Sequence, residues 1–322
     1  MSELVLAVPS KGRLQEHALD FLTRSGLKVE RARGGRDYLG RVTGLEKVRV
    51  AFLSASEIAG ELVQGNAHLG LTGLDLLHEA VDDAIDREAR IHVMAPLGFA
   101  FADVVVAVPE RWIDVDTMRD LADVAERHRA RYGRTLRVAT KFVHLTRRFF
   151  ADAGVADYRI VESVGATEGA PAAGASDLIV DITTTGSTLV ANQLKILSDG
   201  LILSSQAQFV ASRIASWDEG SRKLAAIVAD RVAAEMRARA VLELRAVVDE
   251  PQTAAAAARE LFGATTPFGA EHLPLTLHVV RRQASACASW LRERGAPAVV
   301  VTQVADVYEE SALTSELLAK IA

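Results

Sequence analysis

The chain has 322 residues, 49% of them hydrophobic and 25% charged, with 37 lysines and arginines against 42 aspartates and glutamates. At ~100–200 residues per domain, this length predicts two or three domains, and the apolar share excludes a disordered or collagen-like protein. The formal net charge of -5 provides no overall basic field. We therefore expect no nucleic-acid partner, and any anionic ligand must bind in a local cationic pocket.

The single cysteine and the amino terminus indicate the compartment. Cys287 has no second cysteine for a disulfide or a thiolate zinc site, so we expect a small buried thiol in a reducing environment. The first residues show no signal-peptide pattern, and no apolar run approaches the ~20 residues that cross a bilayer. The histidines are scattered, without the spacing of a zinc helix. These features predict a soluble, cytoplasmic protein without a membrane partner.

Short apolar runs alternate with helical periodicity through about the first two thirds of the chain, a pattern typical of an α/β fold with mainly parallel strands. Ser54 and Glu57 have the spacing of a capping box, which predicts a helix that ends near Gly65. The strands predicted from the apolar runs are Leu4–Val8, Val48–Leu53, Ala67–Leu71, Ile91–Leu97, Val104–Val108, Leu136–Thr140, Tyr158–Glu162, Leu178–Ile182 and Leu201–Ser205.

The pattern changes after a long amphipathic helix, which is predicted from Ser221 to about Ala240. From Val241 the residues alternate between apolar and polar, as on a half-buried strand. Helices and strands then follow at Pro251 to about Phe262, Leu275–Val279, Ala284–Arg294 and Ala298–Val304. About eighty residues suffice for a separate small α+β domain.

The segment from Leu178 to Leu189 carries the strongest indication of a ligand site. An apolar strand runs into a turn with up to five hydroxyl side chains and one glycine, and apolar helical spacing resumes at Leu189. Such a turn directs backbone N–H groups and hydroxyls to one point beside the start of a helix, which suits a phosphate monoester. On composition alone, a threonine-rich capped turn without a ligand is the alternative interpretation.

Charged side chains accompany this turn at other strand ends. Asp181 and Glu168 are two carboxylates that could accept hydrogen bonds from ribose hydroxyls or hold magnesium through water, although an ordinary helix cap or surface acid also explains Glu168. Lys11 and Arg13 follow the first strand and could bind phosphate oxygens, or simply form a solvated helix start. Lys141, Arg147 and Arg148 repeat the cationic theme, which indicates a strongly anionic ligand.

A spaced pattern in this segment resembles the signature of the ATP phosphoribosyltransferase family, whose members catalyse the first step of histidine biosynthesis. The residues that carry the signature are Glu168, Gly174, Ser176, Ile179, Asp181, Ile182, Thr185, Gly186, Thr188 and Leu189. The resemblance extends to Lys11–Leu14, Gly65–Asp75, Arg137–Lys141 and Leu145–Phe150. It therefore covers nearly the whole of the predicted catalytic portion.

The resemblance implies condensation of ATP with 5-phosphoribosyl 1-pyrophosphate to give phosphoribosyl-ATP and pyrophosphate, with Mg2+ as cofactor. The resemblance assigns Lys11, Arg13 and Asp181 to catalysis. Lys11 and Arg13 would face phosphates, and Asp181 would also help to hold the ribose 5-phosphate. Glu168 would lie near the nucleotide. No metal ligand is assigned. The substrate-binding turn that it implies consists of Thr183, Thr184, Thr185, Gly186, Ser187 and Thr188.

The resemblance also implies the domain organisation of the family's long form. This is a two-lobed catalytic core similar to periplasmic binding proteins, followed by a small α+β regulatory domain that resembles the ACT fold. The implied boundaries are lobe I at 1–103 with a return at 200–238, lobe II at 104–199, and the regulatory domain at 239–322. Inhibition by histidine and a homodimer or homohexamer are further implications.

A second hypothesis belongs to a different functional class. Residues 54–59 and 97–104 depart from the family pattern, most visibly at Ser54 and Gly98. These departures suggest as the alternative a non-catalytic cytoplasmic sensor that binds a small anion or nucleotide with the same fold. The intact segment from Asp181 to Thr188 favours phosphoribosyl binding and hence the enzyme.

Overall fold

The computed structural model describes residues 3–31, 38–163 and 165–321. The chain divides into two compact units. The first unit comprises Met1–Ala18, Glu30–Ser221 and Lys320–Ala322, and the second comprises Leu19–Val29 and Arg222–Ala319. Within the described ranges, no helix combines the length and the apolar character that a membrane span requires.

The first sheet has seven strands in the order β2-β3-β4-β1-β5-β12-β6. Its central strand β1, at Leu4–Pro9, is buried at all six positions and pairs in parallel with β4 and β5. The other strands are β2 Val29–Arg31, β3 Leu39–Val42, β4 Leu45–Leu53, β5 Leu69–Gly73, β6 Ile91–Pro96 and β12 Ala207–Ser212.

The second sheet has five strands in the order β11-β7-β10-β8-β9. Valine, leucine and isoleucine side chains from β7, β8 and β10 pack with neighbouring helices into one buried cluster. This packing fixes β10 in the middle of the sheet, where its carboxyl end carries the functional turn. The strands are β7 Ala102–Pro109, β8 Leu136–Thr140, β9 Tyr158–Glu162, β10 Leu178–Thr183 and β11 Leu194–Ser205.

The helix that begins after Ser54 shows how directly local sequence fixes its ends. The Ser54 hydroxyl accepts from the backbone N–H of Glu57, and the Glu57 carboxylate accepts from that of Ser54, which completes the predicted capping box. At the other end, Gly65 adopts a left-handed conformation with φ 80°. The helices up to Ala191 are α1 Gly12–Arg24, α2 Ala55–Gln64, α3 Leu74–Ala80, α4 Ala84–Arg90, α5 Met118–Tyr132, α6 Val143–Asp152 and α7 Ser187–Ala191, and α1 belongs to the second unit from Leu19 onward.

The prediction of mainly parallel strands is wrong, because both sheets are mixed. Strand β12 lies antiparallel between β5 and β6, and β7 pairs antiparallel with both β10 and β11. The strand predicted at Leu201–Ser205 is the end of β11. After Gln206 the chain continues into β12, so it passes from the second sheet to the first within one extended stretch.

The second unit is a three-stranded antiparallel sheet, ordered β14-β13-β15, with helices packed on it. The predicted helices and strands of this region are confirmed, and Cys287 is fully buried as expected. Helix α11 was not predicted. The elements from this part of the chain are α8 Glu219–Ala240, β13 Val241–Ala246, α9 Pro251–Phe262, β14 Leu275–Val280, α10 Ala284–Glu293, β15 Val299–Thr302 and α11 Ala312–Lys320.

Two lobes follow from sheet membership within the first unit. The chain enters the second sheet at Ala102 and returns to the first sheet at Ala207. The exact limits implied by the family resemblance, 1–103, 104–199, 200–238 and 239–322, stay predictions; Met1, Ser2 and Ala322 at their outer ends lie outside the described residues.

Candidate functional site

The turn after β10 is shaped by Gly186. The strand is buried from Leu178 to Val180, and its polar end leads through Thr184 and Thr185 to Gly186, the residue directly before α7. Gly186 has φ 73°, a left-handed conformation that glycine adopts without the penalty of a side chain. A Cβ at Gly186 would find only Ile196 Cδ1, at 4.0 Å. Backbone conformation, and not lack of space, therefore requires glycine here.

Hydroxyl groups and free amides line the outer side of this turn. The N–H of Gly186 donates to Thr183 Oγ1 over 2.8 Å, and the hydroxyls of Thr185 and Ser187 are 2.9 Å apart. The N–H groups of Thr188 and Leu189 lie in the first helical turn, where the helix itself supplies no acceptor. The arrangement therefore presents several donors to one small anion.

A cavity of about 410 Å³ opens at this turn. It gathers predicted site residues from three distant segments: the start of α1, a 3₁₀ turn at Thr167–Gly169, and the end of β10 with its turn. The lining residues are Arg13, Glu168, Asp181, Ile182, Thr183, Thr184, Thr185, Ser187, Thr188 and Leu189. Ile182 and Leu189 were not predicted as lining residues, because nothing in the sequence separates them from ordinary core positions.

Asp181 is the partly buried carboxylate of this cavity. Burial raises its pKa, and the negative charge of Glu168 acts in the same direction. The N–H of Ile182 donates to Asp181 Oδ1 over 2.8 Å and lowers the pKa, as does the positive charge of Lys141. A carboxylate in this balance is stabilised further by each hydrogen-bond donor that a ligand brings.

Five predicted site residues or cations do not line the cavity: Lys11, Gly186, Lys141, Arg147 and Arg148. Lys11 is exposed directly before α1. The pKa of Glu57 is lowered most by the Ser54 side chain and least by the positive charge of Lys11. Gly186 acts on the site through its left-handed backbone conformation, which sets the path of the turn. Arg148 lies on α6, where its Nη1 is 3.5 Å from the carbonyl of Asp82.

A buried polar pair near the site escaped the sequence analysis. Asp75 lies in the first turn of α3 and is 5% exposed, and its Oδ1 accepts from the hydroxyl of Ser205 over 2.7 Å. The charge of Lys141 acts on both Asp75 and Asp181. The sequence signal was Asp75 itself, an acid two residues after a strand, because nothing in the sequence links it to a serine 130 residues away.

Comparison with known proteins agrees with this site. A sequence model of the ATP phosphoribosyltransferase family matches residues 54–233. The chain is 52% identical over 308 residues to the ATP phosphoribosyltransferase of Bradyrhizobium diazoefficiens, covering 95% of this chain and 94% of that one. It is 52% identical over 302 residues to that of Afipia carboxidovorans, covering 92% and 91%.

A solved structure shows the same similarity. A chain of the ATP phosphoribosyl transferase (HisG:HisZ) complex from Thermotoga maritima is 27% identical with a TM-score of 0.54, covering 71% of this chain and 95% of that chain. The family match extends over more than half of the sequence and includes the whole turn from Thr183 to Thr188. The chain belongs to the ATP phosphoribosyltransferase family.

Proposed function

We propose that the cavity at Asp181 binds the ribose 5-phosphate portion of 5-phosphoribosyl 1-pyrophosphate and that the phosphoribosyl group passes from there to ATP. The products are phosphoribosyl-ATP and pyrophosphate, as expected for the first step of histidine biosynthesis. One observation carries the assignment: exposed hydroxyls, first-turn amides and Arg13 face one cavity with two carboxylates. Membership of the transferase family supports the same reaction.

The donors of the turn are proposed to hold the 5-phosphate, because this anion needs several hydrogen bonds from a fixed frame. Asp181 is proposed to accept from ribose hydroxyls, which would replace the solvation that burial removes. Glu168, on the same cavity, is assigned to the nucleotide side. Arg13, which lines the cavity, and Lys11, two residues earlier, are assigned to the pyrophosphate.

The proposed mechanism is direct displacement in the class of pentosyl transfers catalysed by glycosyltransferases. Adenine N1 forms a bond to the anomeric carbon of the ribose as the bond from that carbon to the pyrophosphate oxygen breaks. No protein nucleophile is needed, and fixing two substrates in contact can supply ~7–11 kcal/mol of the barrier. Arg13 and Lys11 would stabilise the charge that collects on the leaving group.

The carboxylates of the cavity are compatible with magnesium dependence. Within the described ranges, no three His, Cys, Asp or Glu side chains form a metal-binding group. Mg²⁺ is commonly held by one or two carboxylates together with substrate phosphates and water, and Glu168 and Asp181 provide that number. When bound, the ion would supply charge neutralisation on the pyrophosphate.

The part of the second unit from residue 239 onward is proposed to be an ACT-like regulatory domain. Its support is the three-stranded sheet with packed helices, which forms its own hydrophobic core. Inhibition by histidine and assembly into a homodimer or homohexamer are proposed on the family resemblance alone. Pyrophosphate release with and without histidine tests the inhibition, and sedimentation of the purified chain tests the assembly.

Release of pyrophosphate from phosphoribosyl pyrophosphate, dependent on ATP, tests the proposed reaction. Thr188→Val removes one hydroxyl from the cavity at nearly constant volume, and kcat/KM should fall by about tenfold or more. Val190→Thr on the same helix is the matched control, since Val190 is 71% exposed and outside the lining. Binding of both substrates without pyrophosphate release would favour the sensor hypothesis, which the transferase relatives do not favour.

A further inference from the structure

The second unit contains a separate cavity of about 400 Å³. This volume lies in the range of small-molecule sites, roughly 300–1,000 Å³. Four elements contribute to it: the end of α1, the helix α8, the segment before α10 and the segment after β15. The lining residues are Arg24, Glu235, Arg239, Arg281, Gln303, Val304 and Ala305. None of them lines the cavity at Asp181.

Positive charge predominates in this cavity. Three arginines face one glutamate, which leaves a formal charge of +2 among the lining residues. Arg24 uses Nε to bind Glu235 Oε1 over 2.9 Å, and Arg281 uses Nε to bind the carbonyl of Arg239 over 2.6 Å. In the described part of the chain, the terminal amino groups of Arg24 and Arg281 make no other hydrogen bond. Two guanidinium groups can therefore still donate to an anion.

The buried carboxylate of Glu235 lacks one donor. The side chain is 4% exposed, and Oε2 has no hydrogen-bond partner in the described structure. Arg239 Nε lies 3.9 Å from Oε2, too far for a hydrogen bond. Burial and then the negative charge of Glu235 raise the pKa of Asp306, while the positive charge of Arg231 lowers it. A buried carboxylate oxygen without a donor is costly, and a ligand hydroxyl could satisfy it.

We propose that this cavity binds a phosphate monoester that carries a free hydroxyl, such as a sugar phosphate. The phosphate lies against Arg24 and Arg281, and the hydroxyl donates to Glu235 Oε2. A phosphate monoester carries a charge of roughly -1.5 to -2 at neutral pH, which matches the +2 of the lining. A zwitterionic amino acid has no net charge and would leave that excess uncompensated. Sulfate offers charge but no donor for Glu235.

Titration calorimetry on the full-length chain carrying Thr188→Val tests the proposal, with D-ribose 5-phosphate as the probe. Thr188→Val weakens binding at the turn, so that binding in the second cavity accounts for most of the measured heat. Arg281→Gln should weaken the titrated binding by about tenfold or more. Arg282→Gln, at the adjacent exposed residue outside the lining, should leave it unchanged.

Glu235→Gln tests the hydroxyl contact through a reversal of selectivity. The substitution should weaken ribose 5-phosphate and strengthen sulfate, because it removes both the acceptor and the negative charge that opposes sulfate. If Glu235 served only to join α1 and α8, its substitution would not reverse the preference for ribose 5-phosphate over sulfate. Thermal unfolding shows whether each variant is folded. If Glu235→Gln does not fold, the comparison of Arg281→Gln with Arg282→Gln still tests whether the anion binds in this cavity.

Three results would overturn the proposal. The first is no binding of ribose 5-phosphate at millimolar concentration, and the second is equal loss in the Arg281 and Arg282 variants. The third is tighter binding of sulfate or of L-histidine than of ribose 5-phosphate at an Arg281-dependent site. Adenosine 5′-monophosphate in a parallel titration distinguishes a free sugar phosphate from a nucleotide. Because the two cavities share no lining residue, this test stays valid even if the function proposed for the turn is wrong.

Discussion

The hydroxyl of Ser205 donates to the carboxylate of Asp75 over 2.7 Å, and it also accepts from the backbone N–H of Asp75 over 3.1 Å. Ser205 is the last residue of β11 in the second sheet, and Asp75 lies in the first turn of α3 beside the first sheet. The pair therefore connects the two lobes of the first unit at the point where the chain returns from one to the other.

Ser205→Ala should destabilise the protein, because it leaves a buried carboxylate without its hydroxyl donor. We expect the free energy of unfolding, measured with urea, to fall by about 1–3 kcal/mol. Burial already raises the pKa of Asp75, and loss of the Ser205 hydrogen bond should raise it further. Ser204→Ala is the control, since Ser204 is exposed and directly precedes Ser205. Equal stability of the two variants would show that the pair contributes nothing.

Arg13 and Lys11 were predicted together, but only Arg13 lines the cavity. Arg13→Gln should lower kcat/KM for phosphoribosyl pyrophosphate by about tenfold or more, since a charge-assisted contact with phosphate is lost. Lys11→Gln should have a smaller effect. Arg159→Gln, exposed on β9 and outside the cavity, controls for the change in net charge. A loss in Arg159→Gln as large as in Arg13→Gln would mean that only overall charge matters.

The lowered pKa of His78 predicts how the free energy of unfolding depends on pH. Burial and the positive charges of Arg87 and Arg148 lower its pKa from 6.5 to about 4, and its buried Nδ1 has no hydrogen-bond partner within the described structure. Between pH 6.5 and about 4 the unfolded chain takes up a proton that the folded chain refuses, so stability falls with acidification in this window. We expect about 1–2 kcal/mol of the loss between neutral pH and pH ~5 to arise here.

His78→Gln should remove this contribution. Urea unfolding of the variant at the two pH values should show a smaller difference than the unaltered chain. His144→Gln serves as the control, because His144 is half exposed on α6. An unchanged difference in His78→Gln would assign the acid sensitivity to other groups.

Local signals predicted much of the fold and of the site. The reciprocal contacts of Ser54 and Glu57, the left-handed Gly65 and the long helix α8 all depend on residues close in sequence, and each was predicted. The turn after Asp181 is equally local, because strand, hydroxyls and glycine follow one another directly.

The rest depends on contacts between distant segments. Periodicity shows that a residue lies on a strand but not which neighbour the strand takes, so the antiparallel insertion of β12 was not predictable. In the same way, the sequence could not show that Arg13 reaches the cavity while Lys11, two residues earlier, does not. The pairing of Asp75 with Ser205 spans 130 residues and leaves no sequence pattern.

The central claim concerns the turn at Gly186, and a pair of glycine variants tests it most directly. Gly186 and Gly154 have nearly equal left-handed φ angles, 73° and 72°, and a Cβ at either would meet little or nothing. Valine at either position should cost a similar ~1–3 kcal/mol of backbone strain. Only Gly186 shapes the cavity, so only Gly186→Val should lose ATP-dependent pyrophosphate release, by about a hundredfold. Full activity in a folded Gly186→Val protein, or an equal loss in Gly154→Val, would contradict the account.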